Sequence, residues 1–296
     1  MYVTLDALLS AAESAGSIGA AVALCEAEDS GISLAEVRER MHAEARVMRE
    51  GVARGRAGKA MSRSGLVGGD SLLVAEGPAP FGSLMKTVVA DALAVAEVNA
   101  SMGRIVAAPT AGSCGVVPGV LVGLCEEFDS NDDDLVDALF AAAGIGGIIN
   151  ARATFSGAAA GCQAEVGSAA AMAAAAATQL CGGTPEQAGH AASLALQGLL
   201  GLVCDPIGGL VEVPCVVRNA TGASVALAAT QMALADVKFP VPFDQVAEAM
   251  AVIGEALPVT LRETSLGGLA VTPAGRDLAE QVDRTGSVLA HGDRER

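Results

Sequence analysis

The sequence predicts an all-α protein, and the prediction rests on its composition, its lack of strand patterns and its capping motifs. Apolar residues make up 52% of the 296 residues but aromatic residues only 2%, so the core must be built from small and aliphatic side chains. Such side chains let helices approach closely, and alanine favours the helix intrinsically. No segment alternates between apolar and polar residues as a half-buried strand does. We therefore expect one helical domain over residues 1–296, in which loops rich in glycine and proline converge on a buried site.

Capping residues define the predicted helices of the N-terminal half. Thr4 can cap one helix, and Ser33 with Glu36 forms a capping box for the next. A run of acidic residues from position 130 suits the positive end of a helix dipole and starts another helix. The helices predicted in this half span residues 5–28, 33–54, 83–102 and 130–150.

A second capping box lies in the C-terminal half, where Thr184 and Gln187 flank Pro185 at the first helical position. The uncharged, alanine-rich residues 166–185 predict a buried helix. Further helices are predicted over residues 185–203, 223–237 and 243–257. The charged tail, residues 276–296, is expected to fray.

Three segments interrupt the helical pattern. Residues 58–70 contain four glycines and two serines, which rule out a regular helix. Residues 107–121 break the pattern with prolines and glycines before an apolar helix resumes, and residues 262–270 form another polar turn that contains glycine. Glycine-rich loops present free backbone N–H groups that bind anions, although many such loops are only connectors. Polar residues in the second segment lie in apolar surroundings, where their hydroxyls need partners. A bound ligand and the nearby backbone both remain open as those partners. The candidate substrate-binding residues in these loops are Ser62, Ser64, Thr110 and Ser113.

Charge and hydropathy argue against two classes of protein. A net charge of -16 is unsuited to nucleic acid, whose phosphates need cationic partners. The uncharged runs 105–125 and 166–185 are interrupted by proline and glycine or are largely alanine, and basic or aromatic flanks are missing, so neither predicts a membrane span. The first residues lack the pattern of a secretory signal, and the predicted location is cytoplasmic.

Residues 38–63 reverse the overall charge, with eight basic residues against three acids. The first interpretation is a solvated helix face. The alternatives are a docking surface for an acidic partner or an electric field that draws a carboxylate substrate inward.

Cys162 follows Gly161, Cys204 precedes Asp205-Pro206 and Cys215 follows Pro214, which predicts that these three cysteines lie at helix ends or in turns. There, free N–H groups can point at the sulfurs of a metal cluster. The spacings of 41 and 10 residues do not match the Cys-x-x-Cys patterns of zinc ribbons or ferredoxins, so spacing alone is weak evidence. The other cysteines are interpreted as small buried hydrophobic residues, namely Cys25, Cys114, Cys125 and Cys181.

Three ligands to a cubane cluster would leave one iron open, and an open metal position is what Lewis-acid catalysis requires. Near the cysteines, Ser156, Gly157 and Asn219 could orient a carboxylate. Arg218 is the natural charge partner for that carboxylate.

Six motifs, in order, carry a resemblance to a known family. They are Ser-Gly-Leu-Val-Gly-Gly-Asp (64–70), Ala-Pro-Thr-Ala-Gly-Ser-Cys-Gly (108–115), Gly-Cys-Gln-Ala-Glu-Val-Gly (161–167), Cys-Asp-Pro-Ile-Gly-Gly (204–209), Val-Pro-Cys-Val-Val-Arg-Asn (213–219) and Arg-Glu-Thr-Ser-Leu-Gly-Gly-Leu-Ala (262–270). By these motifs the chain resembles the α subunit of the oxygen-labile, iron-sulfur L-serine dehydratases, over about residues 33–275.

The resemblance implies an all-α catalytic fold that converts L-serine to pyruvate and ammonia, in gluconeogenesis or amino-acid catabolism. It also implies that Cys162, Cys204 and Cys215 are the ligands of a 4Fe-4S cluster. Single-chain members of the family carry an additional β domain, so a separate β subunit is implied here, and a homo-oligomer of the α chain is compatible with it. Some members have a C-terminal cysteine, whereas this chain ends Ala-His-Gly-Asp-Arg-Glu-Arg.

The catalytic base is not identified by the sequence, because the three histidines stand outside the matching motifs: His42, His190 and His291. A histidine of the β subunit would supply it. Pyridoxal phosphate is not expected, since none of the three lysines has a Schiff-base context. The remaining alternatives are an iron-sulfur lyase that acts on cysteine or another β-substituted amino acid, and a non-catalytic iron-sulfur sensor or scaffold subunit.

Overall fold

A computed structural model describes the backbone of residues 1–292 and the side chains of residues 1–284. Within these residues the chain forms helices and no named strand, which confirms the predicted all-α class. The α-helices are α1 (Leu5–Ala15), α2 (Ile18–Ser30), α3 (Leu34–Arg56), α4 (Asp70–Glu76), α5 (Ser83–Ala100), α6 (Val116–Glu127), α7 (Asp132–Arg152), α8 (Gly157–Ala160), α9 (Ser168–Leu180), α10 (Pro185–Gln197), α11 (Cys215–Leu234), α12 (Phe243–Ala256) and α13 (Pro273–Gly292). Shorter 3-10 or π turns span Ala111–Ser113, Gln163–Gly167, Ile207–Gly209, Val259–Leu261 and Gly268–Val271.

The alanine-rich helix α9 lies at the centre of the molecule. Its residues 168–178 are all buried, and it packs against α6, α7, α10 and α11. Alanine side chains add little width to a helix, so four neighbours can surround α9 at close range. The predicted buried helix is confirmed, and its N-terminal end directly follows the turn Gln163–Gly167, which Cys162 precedes.

The predicted helix over residues 5–28 is in fact two helices, α1 and α2, which meet at an angle of 98°. Gly16 ends α1 in the left-handed conformation with φ 92°, as glycine commonly does at a helix C-terminus. The Ser17 hydroxyl then accepts a hydrogen bond from the N–H of Ala20 at 3.0 Å and starts α2. Thr4 caps α1 as predicted, by accepting from the N–H of Ala7.

Of the two predicted capping boxes, the one formed by Thr184 and Gln187 is complete. At the start of α3 only half of the box forms. The Ser33 hydroxyl accepts from the N–H of Glu36, but the Glu36 carboxylate accepts from Arg40 instead. An intrahelical ion pair has therefore replaced the second half of the cap.

The basic segment, residues 38–63, is largely neutralised within the chain. Arg38 bonds to Asp133 and Asp137 at the start of α7, and Arg56 donates two hydrogen bonds to the buried carboxylate of Asp91. The basic residues with an acidic partner in the chain are Arg38, Arg40, Arg46, Arg49 and Arg56. These pairings favour a structural use of the segment over a docking surface for an acidic partner.

Residues 273–292 form helix α13, so the prediction of a frayed tail is wrong for this stretch. The helix packs on the turn Ile207–Gly209. A Cβ added to Gly208 would lie 3.5 Å from atoms of Val282, which shows how closely the two elements approach. The polar sequence of this segment predicts a frayed tail, but packing against the turn stabilises it as a helix. Residues 293–296 lie outside the described part of the chain.

One described helix, α7, is long and apolar enough to cross a membrane, and the bent pair of α1 and α2 would pass the same test only as one broken span. In α7, 67% of the apolar window is buried inside the protein. That degree of burial is expected of a core helix packed against other helices.

Candidate metal centre

The three candidate ligand cysteines lie at helix ends or in turns, as their sequence contexts predict. Cys162 immediately precedes the π turn Gln163–Gly167, and Cys215 is the first residue of α11. Cys204 lies in an isolated parallel bridge with Arg262. All three are free thiols with exposed fractions of only 2% to 7%. Their sulfur atoms can therefore act as metal ligands in a site shielded from water.

The position of Cys162 is fixed by the residue on each side of it. Gly161 ends α8 with φ 77°, a positive value that glycine adopts without steric cost. The amide of the fully buried Gln163 donates to the carbonyls of Ala160 and Met250, and its oxygen accepts from the N–H of Gly201. This buried amide ties the Cys162 turn to two other segments of the chain.

The bridge at Cys204 brings the motif of residues 262–270 into the site. The Cys204 N–H donates to the carbonyl of Leu261 at 2.9 Å, and the Cys204 carbonyl accepts from the N–H of Glu263 at 2.7 Å. The Ser265 hydroxyl also donates to the carbonyl of Pro206 at 2.6 Å. Two motifs separated by about fifty residues in the sequence thus form one wall of the site.

Glu165 joins two of the cysteines in a group of potential metal ligands. One carboxylate oxygen of Glu165 and the Sγ atoms of Cys162 and Cys204 all lie within 4.8 Å of one another. Cys215 is also buried and lies within reach of the charges of Cys162 and Glu165, but its Sγ lies outside this 4.8 Å group. Sequence reasoning did not single out Glu165, although its position three residues after Cys162 in a helical turn was a signal that both face the same way.

The thiols differ in acidity. A hydrogen bond from the Cys204 thiol lowers the pKa of Cys162, and the positive charge of Arg218 adds to this against the effect of burial. The same hydrogen bond, together with burial, raises the pKa of Cys204. Burial raises the pKa of Cys215 to about 12. Cys162 is therefore the most acidic of the three thiols, and a metal that binds all three sulfurs as thiolates must release protons.

Arg218 and Asp205 form an ion pair beside the thiols. The guanidinium donates to Asp205 Oδ1 at 2.8 Å and to the carbonyl of Val203 at 2.9 Å, and its Nη1 lies 3.6 Å from Cys162 Sγ. Burial opposes the positive charge, but Cys162 and Asp205 raise the pKa of Arg218 overall. Arg218 is the residue that we predict to bind a substrate carboxylate. In this structure its guanidinium contacts Asp205 and Cys162 instead.

We expect Arg218→Leu to lower the free energy of unfolding of the metal-free chain by about 3–5 kcal/mol, because it leaves a buried carboxylate without its partner. Asp205 is only 3% exposed. A matched control is Arg40→Leu, which breaks a surface pair with exposed fractions of 66% and 52% and should cost less than about 1 kcal/mol. Urea unfolding of the two variants measures the difference, and equal losses would contradict a structural ion pair at Arg218.

Thr110 and Ser113 are brought to the site through Glu165. The Thr110 hydroxyl donates to Glu165 Oε1 at 2.7 Å and lies 3.1 Å from the hydroxyl of Ser113. The backbone alternative raised by the sequence is therefore not what satisfies Thr110. Asn219 holds the same loop in place, since its amide donates to the carbonyl of Gly112 and its oxygen accepts from the N–H of Gly115.

The serines of the first loop reach the site indirectly. Ser64 donates to the carboxylate of Glu212, which lies three residues before Cys215. The hydroxyls of Ser62 and Ser64 lie 3.1 Å apart, and each accepts a backbone hydrogen bond of the loop. In this structure both hydroxyls hold the shape of the loop.

Ser156 stands at the start of α8, where its hydroxyl caps the helix by accepting from the N–H of Ala159. Its neighbour Gly157 lies against the cysteines, because a Cβ at that position would stand 3.3 Å from Cys204 Sγ. Ser156 is exposed, so its hydroxyl lies at the edge of the site.

Neither described histidine side chain is bonded to this site. His42 lies 3.1 Å from Asp133 of α7, and His190 lines a separate cavity of about 190 Å³ with Thr184 and Lys238. The side chain of His291 lies outside the described part of the chain.

The four remaining cysteines are not members of the ligand group. Cys114 and Cys125 are buried, as predicted, whereas Cys25 and Cys181 are only partly buried.

The protein has an all-α fold in which thiols, a carboxylate and an arginine are buried together. These features define the class: a helical protein with a candidate catalytic metal centre. Comparison with known proteins narrows that class. The family model described as "Serine dehydratase alpha chain" matches residues 10–270. The chain therefore belongs to the serine dehydratase alpha chain family, and the resemblance seen in its motifs is confirmed.

Several curated relatives are similar to this chain. It is 49% identical over 225 residues to "Probable L-serine dehydratase, alpha chain" of Bacillus subtilis (strain 168), covering 75% of each chain. It is 47% identical over 210 residues to "L-serine dehydratase, alpha chain" of Peptoniphilus asaccharolyticus, covering 71% of this chain and 72% of that one. "L-serine dehydratase 1" of Escherichia coli (strain K12) is 47% identical over 182 residues, which are 61% of this chain and 40% of that longer one. These relatives are enzymes, so the prediction of an enzyme is confirmed.

Proposed function

We propose that this chain is the α subunit of an iron-sulfur L-serine ammonia-lyase, which converts L-serine to pyruvate and ammonia. The observation that supports this most directly is the buried group of Cys162, Cys204 and Glu165, with Cys215 beside it, in a chain of the serine dehydratase alpha chain family.

The donor set fits a 4Fe-4S cluster held by Cys162, Cys204 and Cys215. Thiolates are the usual ligands of iron-sulfur clusters, and the three thiols here are free, buried and set in turns. When bound, such a cluster with one iron free of cysteine supplies a Lewis acid that stabilises negative charge on the hydroxyl oxygen leaving the substrate.

The residues of this chain prepare the site for that chemistry. Arg218 favours the thiolate of Cys162 through its positive charge. Burial of the three cysteines excludes bulk water, which strengthens every electrostatic interaction in the site. We propose that the substrate contacts residues of the surrounding loops, with Arg218 near its carboxylate. The other candidates are Ser62, Ser64, Thr110, Ser113 and Ser156.

The overall reaction removes the α-proton and the β-hydroxyl of serine as water. The resulting aminoacrylate then regains water by hydrolysis and gives pyruvate and ammonia. We propose that the base for the α-proton comes from a separate β subunit, as the designation "alpha chain" of the relatives implies a second kind of chain. The proposal includes a cytoplasmic location and a role in amino-acid catabolism or gluconeogenesis, and it involves no pyridoxal phosphate.

The test is a serine-to-pyruvate assay of the chain after anaerobic reconstitution with iron and sulfide, in the presence of its β chain. We expect pyruvate formation that depends on reconstitution and is lost on exposure to air. The same assay with L-cysteine separates the related lyase from the serine enzyme. A reconstituted complex that binds iron and sulfide but converts neither amino acid would support a sensor or scaffold and contradict the proposal.

A further inference from the structure

The two carboxylate oxygens of Glu165 have different surroundings. Oε1 accepts the hydrogen bond from the Thr110 hydroxyl at 2.7 Å. Oε2 lies 4.0 Å from Cys162 Sγ. Oε2 and Cys204 Sγ are also both close to Gly157, so they lie on the same side of the carboxylate. One oxygen is therefore held by a hydroxyl, and the other is presented to the two thiols.

Two glycines make room for this carboxylate. A Cβ on Gly112 would lie 2.8 Å from Glu165 Oε1, and a Cβ on Gly157 would lie 2.5 Å from Oε2. Neither glycine has a positive φ, so the backbone conformation does not require glycine at these positions. A Cβ at either position would instead press on the end of the Glu165 side chain and displace its carboxylate.

From this geometry we propose that Glu165 is a fourth protein ligand of the metal centre, which occupies through Oε2 the iron left free by the three cysteines until substrate binds. The inference rests on the proposed function, because it assumes a cluster at these cysteines. A carboxylate is a chemically suitable partner, since protein iron sites combine carboxylates with other ligand types.

Two consequences follow for substrate binding. L-serine must displace the carboxylate from the centre, so the ligand lowers the apparent affinity for serine by the fraction of sites that it occupies. Thr110 keeps its hydrogen bond to Oε1, so the displaced carboxylate stays beside the site instead of moving into solvent.

The experiment compares Mössbauer spectra of the anaerobically reconstituted complex of α and β chains, with wild-type or Glu165→Gln α chain. Glutamine keeps the size of the side chain and an oxygen that can accept from Thr110, but it has no second carboxylate oxygen to offer a metal. Without serine, we expect the signal of the unique iron to differ between the two proteins. With saturating serine the two spectra should coincide, and the apparent Kd for serine should be about threefold or more lower in the variant.

The matched control is Glu263→Gln, which removes the same charge from an exposed residue whose field acts on Glu165 and Cys215. Its serine-free spectrum should equal that of the wild type. A second variant, Thr110→Val, keeps the carboxylate and should retain the unique iron signal of the wild type.

The outcomes separate this inference from the proposed function. A wild-type complex without a cluster would overturn the proposed function. A wild-type cluster whose serine-free spectrum is unchanged by Glu165→Gln would overturn only the ligand role of Glu165. Loss of iron in Glu165→Gln but not in Thr110→Val or Glu263→Gln would support the ligand role. Loss of the fold, measured by circular dichroism, in both Glu165→Gln and Thr110→Val would show a purely structural contact and overturn it.

Discussion

Replacing Cys162, Cys204 or Cys215 singly with serine is expected to abolish the iron-sulfur cluster and to reduce serine turnover to background. Each substitution removes one of three sulfur donors from a buried site, and a hydroxyl is a poor substitute for a thiolate as a ligand of soft metals. Iron and acid-labile sulfide, measured after anaerobic reconstitution, should fall from one cluster per chain to near zero in each variant.

The control for this prediction is Cys181→Ser at the C-terminal end of α9. Cys181 is a free and only partly buried thiol that lies outside the ligand group. This variant should keep the iron and sulfide content of the wild type. Full iron and sulfide content in any one of the three ligand variants would contradict the assignment of that cysteine.

The isolated α chain, even when reconstituted, is expected to turn over serine at least about 100-fold more slowly than the complex with the β chain, because a positioned general base contributes factors of that size. In the described part of the chain, His42 bonds to Asp133 and His190 lines a separate cavity. Pyruvate formation by equal amounts of reconstituted α chain, with and without β chain, measures the effect.

The β chain alone is the control for this measurement and should form no pyruvate. The cluster content of the α chain should be the same with and without its partner, so that the difference reports the reaction and not cluster assembly. A reconstituted α chain that reaches the full rate by itself would show that the base lies within this chain.

The helix boundaries show which structural features the sequence reveals. Thr4 and the Thr184 box cap their helices as predicted, because a cap is made by residues within one turn. Helix α4 was not predicted, and its start depends on a residue far away in the sequence. Glu97 of α5 accepts from the N–H groups of Asp70 and Ser71 at 2.7 and 3.1 Å. No local pattern can show a cap that comes from another helix.

At the candidate site, too, the local features could be predicted from the sequence and the contacts between separate segments could not. The glycine and proline contexts of Cys162, Cys204 and Cys215 correctly predict turns and helix ends, because those residues act on the backbone next to them. The ion pair of Arg218 with Asp205 and the contact of Glu165 with Thr110 were not predicted. Both depend on how separate segments pack, which a single sequence does not specify.

The central claim is that a cluster at these three cysteines carries out the dehydration. The most direct test is to record the Mössbauer spectrum of the reconstituted wild-type protein with its β chain, before and after addition of L-serine. We expect the spectrum of a 4Fe-4S cluster in which the signal of one iron changes when serine binds. A protein that forms no cluster, or a cluster in which all four irons are unaffected by saturating serine, would contradict it.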